Sequence, residues 1–128
     1  MIRVLLVDDE IMVRKGLRMR MKLEPDLLVI GETSSGLQAL AMAEALHPDI
    51  VVMDIELTDL DGISATAQMT GSSNPIPVII HSMHDDVLMR TRALDAGAAE
   101  FVVKHGGPTQ LLSAIRRIHQ QSPPSPHF

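Results

Sequence analysis

Short apolar runs and amphipathic segments alternate five times along the chain. The apolar runs are rich in β-branched residues and nearly continuous, which is typical of strands covered on both faces of a parallel sheet. The predicted strands are residues 2–7, 27–31, 50–54, 78–82 and 100–103. The segments between them have the length and the apolar spacing of helices. The predicted helices span approximately residues 11–23, 37–46, 63–69, 86–96 and 108–120.

The ends of the predicted helices carry residues that start or stop helices. His47-Pro48 follows the second helix, Gly97 follows the fourth, and Pro108 opens the fifth. Five β-α units in a short chain predict an α/β fold, a doubly wound parallel (βα)5 sheet with right-handed crossovers and helices on both faces. We expect the flavodoxin-like strand order 2-1-3-4-5.

Length and composition narrow the class of protein. The 128 residues suffice for one domain, which we assign to residues 1–121. Residues 122–128 are rich in proline and serine, which predicts a tail or the start of a linker. The chain has no cysteine, so disulfides, thiolate metal sites and cysteine nucleophiles are excluded. No apolar run reaches the roughly 18 residues of a membrane span, and the N-terminal run is too short for a signal peptide. We therefore expect a cytoplasmic protein.

The charge pattern argues against nucleic acid as a partner. The net charge is −5, whereas binding to phosphates needs a basic surface. The chain has two phenylalanines and neither tyrosine nor tryptophan, which leaves little aromatic surface for stacking bases. Five basic residues lie within residues 14–22. This stretch is either a solvated helix face or a surface that docks a kinase or a second protomer.

Polar residues stand at the ends of four predicted strands. They are Asp8-Asp9, Asp54, Ser82 and Lys104. In an open parallel sheet these ends form the ligand crevice, and strands 1 and 3 flank its switch point. We expect three carboxylates to share this crevice, where they need a cation, and Mg²⁺ is the natural one for oxygen ligands. Asp54 can then attack phosphorus and become an aspartyl phosphate, while Lys104 and Ser82 hold the phosphoryl oxygens.

Four segments carry a resemblance to a known family. They are Val7-Asp8-Asp9-Glu10, Met53-Asp54-Ile55 with Asp61-Gly62, Ile80-His81-Ser82 and Phe101-Val102-Val103-Lys104. In this order they resemble the receiver domain of bacterial two-component response regulators over about residues 2–120. The stretches Val13-Arg14-Lys15-Gly16-Leu17 and Ala96-Gly97-Ala98 are most similar to the NarL/FixJ (LuxR-type) subfamily.

The resemblance implies a role for each matched residue. Asp54 is implied to be the phosphoacceptor. The implied Mg²⁺ ligands are Asp9, Asp54 and the backbone carbonyl of Glu56, with Asp8 acting through water. Ser82 is implied to be the switch hydroxyl, Phe101 the switch aromatic that turns inward, and Lys104 the phosphate partner. The implied partners are a sensor histidine kinase, a possible second copy and a downstream output domain that binds DNA, which these residues do not include.

The sequence departs from the receiver pattern around the site. Thr58 stands where the family usually has proline, so the loop after Asp54 loses a fixed φ angle. Leu57 and Leu60 replace the usual methionines, His105 follows Lys104 where many receivers have proline, and Met83 replaces a small residue. We hypothesise that Met83 partly shields the phosphoryl site. Glu56 and His84 flank the site and are expected to tune the rates of phosphorylation and dephosphorylation.

Other interpretations use the same residues. Asp8 and Asp9 can be read as caps of the first helix, Ser82 as the start of a turn and Lys104 as an edge charge. A phosphorylation-independent interaction or dimerisation module with the same fold is the main alternative, supported by Thr58, Met83 and His105. A Mg²⁺ phosphohydrolase ranks last, because nothing in the sequence resembles a second general base. The six histidines lack metal-ligand spacing.

Overall fold

The predicted doubly wound sheet is confirmed by the structure, a computed structural model that describes residues 1–121. Five parallel strands lie in the order β2-β1-β3-β4-β5. The strands are β1 (Ile2–Val7), β2 (Leu27–Thr33), β3 (Ile50–Met53), β4 (Val78–Ser82) and β5 (Glu100–Val103). The helices are α1 (Ile11–Lys22), α2 (Gly36–Leu46), α3 (Gly62–Thr70), α4 (Val87–Asp95) and α5 (Pro108–Gln121). The predicted tail at residues 122–128 lies outside the described residues.

Helices cover both faces of the sheet, so the core has two halves. Alternate residues of β1 point to opposite faces, as the two-residue period of a strand requires. Val4 and Leu6 pack with α1 and α5, which bury Met21 and Ile115 among others. Leu5 and Val7 pack on the opposite face, where α2, α3 and α4 contribute mostly small residues such as Ala93. The edge of the sheet at which the predicted site lies is therefore supported by helices on both faces.

Local chemistry fixes where several helices begin. Ser35, Asp61 and Asp86 each accept a hydrogen bond at the first turn of α2, α3 and α4, from the backbone N–H three residues later. In contrast α1 has Glu10 as its N-cap and no side-chain cap bond. Asp8 and Asp9 are therefore free of a capping role. Within residues 1–121, no helix combines the length and the apolar character needed to cross a membrane.

Two strand boundaries differ from the sequence prediction. β2 continues to Thr33 because its pairing with β1 shifts register after Val4, which lets Val7 pair with Thr33. β3 ends at Met53, so Asp54 is the first residue beyond the strand. A 3₁₀ turn at Lys104–Gly106, which the sequence did not indicate, follows β5.

Candidate functional site

Asp8 and Asp54 follow neighbouring strands and come together at the carboxyl edge of the sheet. Val7 pairs with Met53 in the register of β1 and β3, and the N–H of Asp54 donates to the carbonyl of Val7 at 2.8 Å. Both acids are buried, with 3% and 7% of their surface exposed. The structure therefore brings Asp8 and Asp54 together after β1 and β3, as predicted for the ends of these two strands.

Lys104 joins the two buried carboxylates. Its Nζ lies 2.9 Å from Asp8 Oδ2 and 3.4 Å from Asp54 Oδ2, and its side chain is itself buried. A lysine that starts the turn after β5 can reach both acids because its flexible stem spans the intervening β4 edge. One ammonium thus faces two carboxylates, which leaves the centre with an excess of negative charge.

The electrostatics of the centre follow from this imbalance. Burial and the charge of Asp8 together raise the pKa of Asp54 to about 6, although Lys104 opposes the rise. Burial alone would lower the pKa of Lys104, but its hydrogen bond to Asp8 and the charge of Asp54 raise that pKa. Asp54 is thus a carboxylate whose negative charge is poorly neutralised, and additional positive charge at this place would stabilise it.

Asp9 lies outside the cluster that Lys104 forms with Asp8 and Asp54. It is exposed, and its carboxylate has no hydrogen-bond or ion-pair partner among residues 1–121. Across the same residues, no three His, Cys, Asp or Glu side chains form a ready metal cluster. Mg²⁺ needs only one or two carboxylates, since it retains several waters. The all-oxygen donors and the excess negative charge of this edge fit that ion.

The loop after Asp54 is fixed by contacts rather than by a proline. The N–H of Gly62 donates to the carbonyl of Ile55 at 2.8 Å, and a Cβ at Gly62 would lie 1.9 Å from the carbonyl oxygen of Asp54. Only glycine allows that approach. Asp59 ties the same loop to α2, accepting from Ser35 Oγ at 2.5 Å and from the N–H of Gly36 at 2.8 Å.

Asp59 therefore provides the anchor that Thr58 does not. The Thr58 hydroxyl makes one long contact of 3.4 Å with the carbonyl of Ser34. The hydrogen bond from Ser35 and those from backbone N–H groups hold the pKa of Asp59 below its ordinary value. Ser35 lies 24 residues before Asp59 along the chain, so no local sequence signal could have found this anchor.

Ser82 ends β4 and pairs with Val103, whereas Phe101 lies in the neighbouring strand β5 and pairs with Ile80; Ser82 and Phe101 are both buried. The Ser82 hydroxyl accepts a hydrogen bond from the N–H of His84 at 3.0 Å. Phe101 is only 7% exposed, and the guanidinium carbon of Arg90 lies 4.8 Å from its ring centre. The ring that the resemblance implies would turn inward already lies inside in this conformation.

The residues expected to tune the site lie at its rim. His84 Nε2 lies 2.6 Å from Glu56 Oε1, which joins the loop after β3 to the loop after β4. That hydrogen bond raises the pKa of His84. Met83 is 51% exposed and lines a groove of about 440 Å³ between α1 and the start of α5, together with Lys104. His105 is exposed within the 3₁₀ turn.

Sequence reasoning missed three residues around the site. Arg14 of α1 donates to the carbonyl oxygen of Asp8 at 2.6 Å. Arg90 covers Phe101, as described above. His81 is 5% exposed, and its Nδ1 has no hydrogen-bond partner among the described residues. Burial and the charge of Lys104 together lower the pKa of His81 to about 4, against the opposing charge of Asp8. The sequence signal that could have identified His81 is its position as a polar residue within the apolar run of β4.

Comparison with known proteins places this geometry in a family. The profile of the response regulator receiver domain matches residues 4–116. The chain is 37% identical over 124 residues to the transcriptional regulatory protein LiaR of Bacillus subtilis, covering 96% of the chain and 58% of LiaR. It is 35% identical over 116 residues to the response regulator protein VraR of Staphylococcus aureus, covering 91% of the chain and 56% of VraR. The chain thus spans a little over half the length of these relatives.

The fold agrees with a solved receiver. The signal receiver domain of the response regulator NarL from Mycobacterium tuberculosis superposes with a TM-score of 0.89 at 28% identity, covering 94% of this chain and 98% of that one. The matched profile spans most of the chain, and the relatives include NarL- and LuxR-type regulators. The chain therefore belongs to the response regulator receiver domain family, a signalling family rather than a class of conventional enzymes, and it resembles the NarL/FixJ-like members.

Proposed function

We propose that this domain is a Mg²⁺-dependent phosphoacceptor switch in which Asp54 receives a phosphoryl group from a partner histidine kinase. The observation that carries the proposal is the pair of buried carboxylates, Asp8 and Asp54, held against one buried ammonium. Such a cluster is costly to the folded state, because a single cation offsets two buried anions. Its retention is understandable if the cluster serves chemistry.

Asp54 supplies the nucleophile. Its ionised Oδ forms a bond to phosphorus while the bond from phosphorus to the donor breaks, and the donor leaves with that electron pair. Asp9, Asp54 and the carbonyl of Glu56, with Asp8 acting through water, would hold Mg²⁺, whose positive charge would stabilise the phosphoryl oxygens. Lys104, already 3.4 Å from Asp54, needs only a small movement to pair with the new phosphoryl group. The same residues assist hydrolysis of the aspartyl phosphate.

The switch couples this chemistry to the face formed by α4, β5 and α5. The Ser82 hydroxyl would leave the N–H of His84 and donate to a phosphoryl oxygen. Phe101 is buried in this conformation, and phosphorylation would stabilise the inward position of its ring. The phosphoryl group therefore shifts a population between two states, by as much as its interactions with those states differ.

The partners follow from this proposal and from the relatives. LiaR is named a transcriptional regulatory protein, so we propose that an output domain acting on transcription reads the switch. The kinase would meet the domain in the cytoplasm. Self-association through α1 and α5, or through α4, β5 and α5, belongs to the same proposal, since both faces expose apolar side chains such as Met12 and Val87. No direct contact with nucleic acid or membrane is assigned to this domain.

The test is intact mass spectrometry after incubation with acetyl phosphate, with and without Mg²⁺. We expect the protein to gain one phosphoryl group only when Mg²⁺ is present, and Asp54→Asn to gain none. The chain has no tryptophan, so fluorescence quenching cannot replace the mass measurement. A histidine kinase serves as the donor if acetyl phosphate is refused. Absence of the gain with both donors would overturn the proposal.

One observation favours a second candidate function. Phe101 is buried and Arg90 lies against its ring, so contacts within the domain itself hold the ring in the inward position. A phosphorylation-independent interaction or dimerisation module would use the face formed by α4, β5 and α5. The substitutions at Thr58, Met83 and His105 agree with this alternative, whereas the intact set of Asp8, Asp54 and Lys104 favours the switch.

A further inference from the structure

Arg14 is a nearly buried arginine that connects three elements at the site. Its side chain is 14% exposed. Its Nη1 donates to the carbonyl oxygen of Asp8 at 2.6 Å, and its Nε donates to Glu32 Oε1 at 3.2 Å. Arg14 lies on α1, Glu32 lies in β2 and Asp8 follows β1. The guanidinium of Arg14 therefore connects the loop after β1 to strand β2.

Asp8 is fixed at four points. Its N–H donates to the carbonyl of Thr33 at 3.0 Å, and its Oδ1 accepts from the N–H of Glu10 at 2.9 Å. Lys104 holds its Oδ2 at 2.9 Å, and Arg14 holds its carbonyl oxygen. Of these four contacts, the one with Arg14 acts on the peptide group that links Asp8 to the next residue.

Asp9 has no comparable support of its own. Its carboxylate is exposed and without a partner in the described part of the chain. The adjoining helix does not fix the loop through a cap either, because Glu10 makes no side-chain cap bond. Since a peptide group is planar, the contact of Arg14 with the Asp8 carbonyl determines the direction in which Asp9 leaves the loop.

Resting on the proposed function, we propose that Arg14 is a positioning residue for the metal-binding acid pair, with Glu32 orienting its guanidinium. Arg14 touches neither the phosphoryl group nor the metal. It acts by fixing the Asp8–Asp9 peptide group, so that the Asp9 carboxylate is preorganised to bind Mg²⁺. Partners that orient metal ligands from outside the coordination sphere commonly affect affinity by about 10- to 100-fold.

Arg18 provides a matched control. It also pairs with Glu32, carries the same charge and lies one helical turn further along α1, but it is 47% exposed and makes no contact with Asp8. Removing a positive charge near a cation site should by itself strengthen Mg²⁺ binding, because the repulsion decreases. Weaker binding on loss of Arg14 would therefore report lost positioning and not lost charge.

The experiment is isothermal titration of Mg²⁺ into the full chain, comparing wild type, Arg14→Gln and Arg18→Gln. We expect the Kd for Mg²⁺ to rise about tenfold in Arg14→Gln and to stay near the wild-type value or fall slightly in Arg18→Gln. With acetyl phosphate, saturating Mg²⁺ should restore most of the phosphorylation rate of Arg14→Gln. Arg14→Lys keeps the positive charge but loses the fork that contacts Asp8 and Glu32 together; it should raise the Kd less than Arg14→Gln, and it serves in its place if Arg14→Gln fails to fold.

The outcomes separate this inference from the proposed function. Equal Mg²⁺ affinities in Arg14→Gln and Arg18→Gln, with wild type still binding Mg²⁺, would overturn the role of Arg14 and leave the switch intact. A wild-type protein that binds no Mg²⁺ would overturn the proposed function and this inference together. Unfolding midpoints from circular dichroism identify any variant whose lower affinity reflects partial unfolding, and Arg14→Lys then decides the question.

Discussion

The guanidinium carbon of Arg90 lies 4.8 Å from the centre of the Phe101 ring. Asp85 holds the same guanidinium, accepting from Nη2 at 2.6 Å and from Nε at 3.1 Å. Ala93 is the only fully buried residue that α4 contributes within the described chain. The contact between Arg90 and Phe101 is therefore an important part of what attaches α4 to β5, on the face that would transmit the signal.

Arg90→Gln should destabilise the domain through this ring contact. A partly exposed cation–π contact contributes about 0.5–1 kcal/mol, so we expect a loss of that size in the free energy of unfolding. Urea denaturation followed by circular dichroism measures it. Arg92→Gln is the control, because Arg92 is exposed on the same helix and has no ion-pair partner in the described residues. If the loss persists at full size in a Phe101→Leu background, the ring contact is not its cause.

The pair formed by Glu56 and His84 should lengthen the life of the aspartyl phosphate. The pair joins the two loops beside Asp54, whose charge also acts on His84. Breaking it should give water freer access to the phosphoryl group, so we expect Glu56→Gln and His84→Gln to lose the group several-fold faster. Intact mass measured over time after removal of the donor gives the rate. The double variant should be no faster than either single one, whereas additive effects would contradict a role for the pair.

Met83→Ala should speed phosphorylation by acetyl phosphate. Met83 stands directly after Ser82 and lies on the rim of the groove that Lys104 also lines, where its flexible side chain can limit approach to the site. The first-order gain of phosphoryl mass at fixed donor and Mg²⁺ concentrations measures the effect. Met19→Ala is a suitable control, because Met19 is similarly exposed on α1 and lines no part of that groove. Unchanged rates in Met83→Ala would end the hypothesis that this residue shields the site.

The fold could be predicted because its signals are local. Apolar runs and helical spacing recur over a few residues, and they located all five strands and all five helices to within two residues. The end of β2 was missed because it depends on a register shift against β1 after Val4, which no feature of β2 itself reveals. The 3₁₀ turn after β5 was missed for a similar reason, since three residues are too few for a periodic pattern.

The candidate site could be predicted only to the level of strand ends. Parallel topology places Asp8, Asp54 and Lys104 at one edge, and the sequence identified them on that ground. Which acid contacts Lys104 depends on side-chain reach across the sheet, so the sequence could not show that Asp8 is paired while Asp9 stays outside. The contact of Arg14 with the Asp8 carbonyl is likewise tertiary, because its geometry depends on how α1 lies against β2.

His81 should make the domain sensitive to acid. In the unfolded chain it takes up a proton near its ordinary pKa of 6.5, whereas burial, followed by the charge of Lys104 and opposed by that of Asp8, lowers its pKa to about 4 in the folded domain. At a pH between these two pKa values the unfolded state binds more protons than the folded state. The contribution of His81 to stability is therefore fully present above pH 6.5, and it is lost as the pH falls toward about 4.

His81→Leu should remove that loss. Leucine also avoids the cost of the Nδ1 that has no partner within residues 1–121, so the variant should be the more stable protein even at about pH 8. Its advantage in the free energy of unfolding should grow by about 2 kcal/mol between about pH 8 and pH 5. Urea unfolding at both pH values measures the change, and His119→Gln, at an exposed histidine, is the control. An advantage that stays constant over this range would show that His81 is not the group whose protonation destabilises the folded domain.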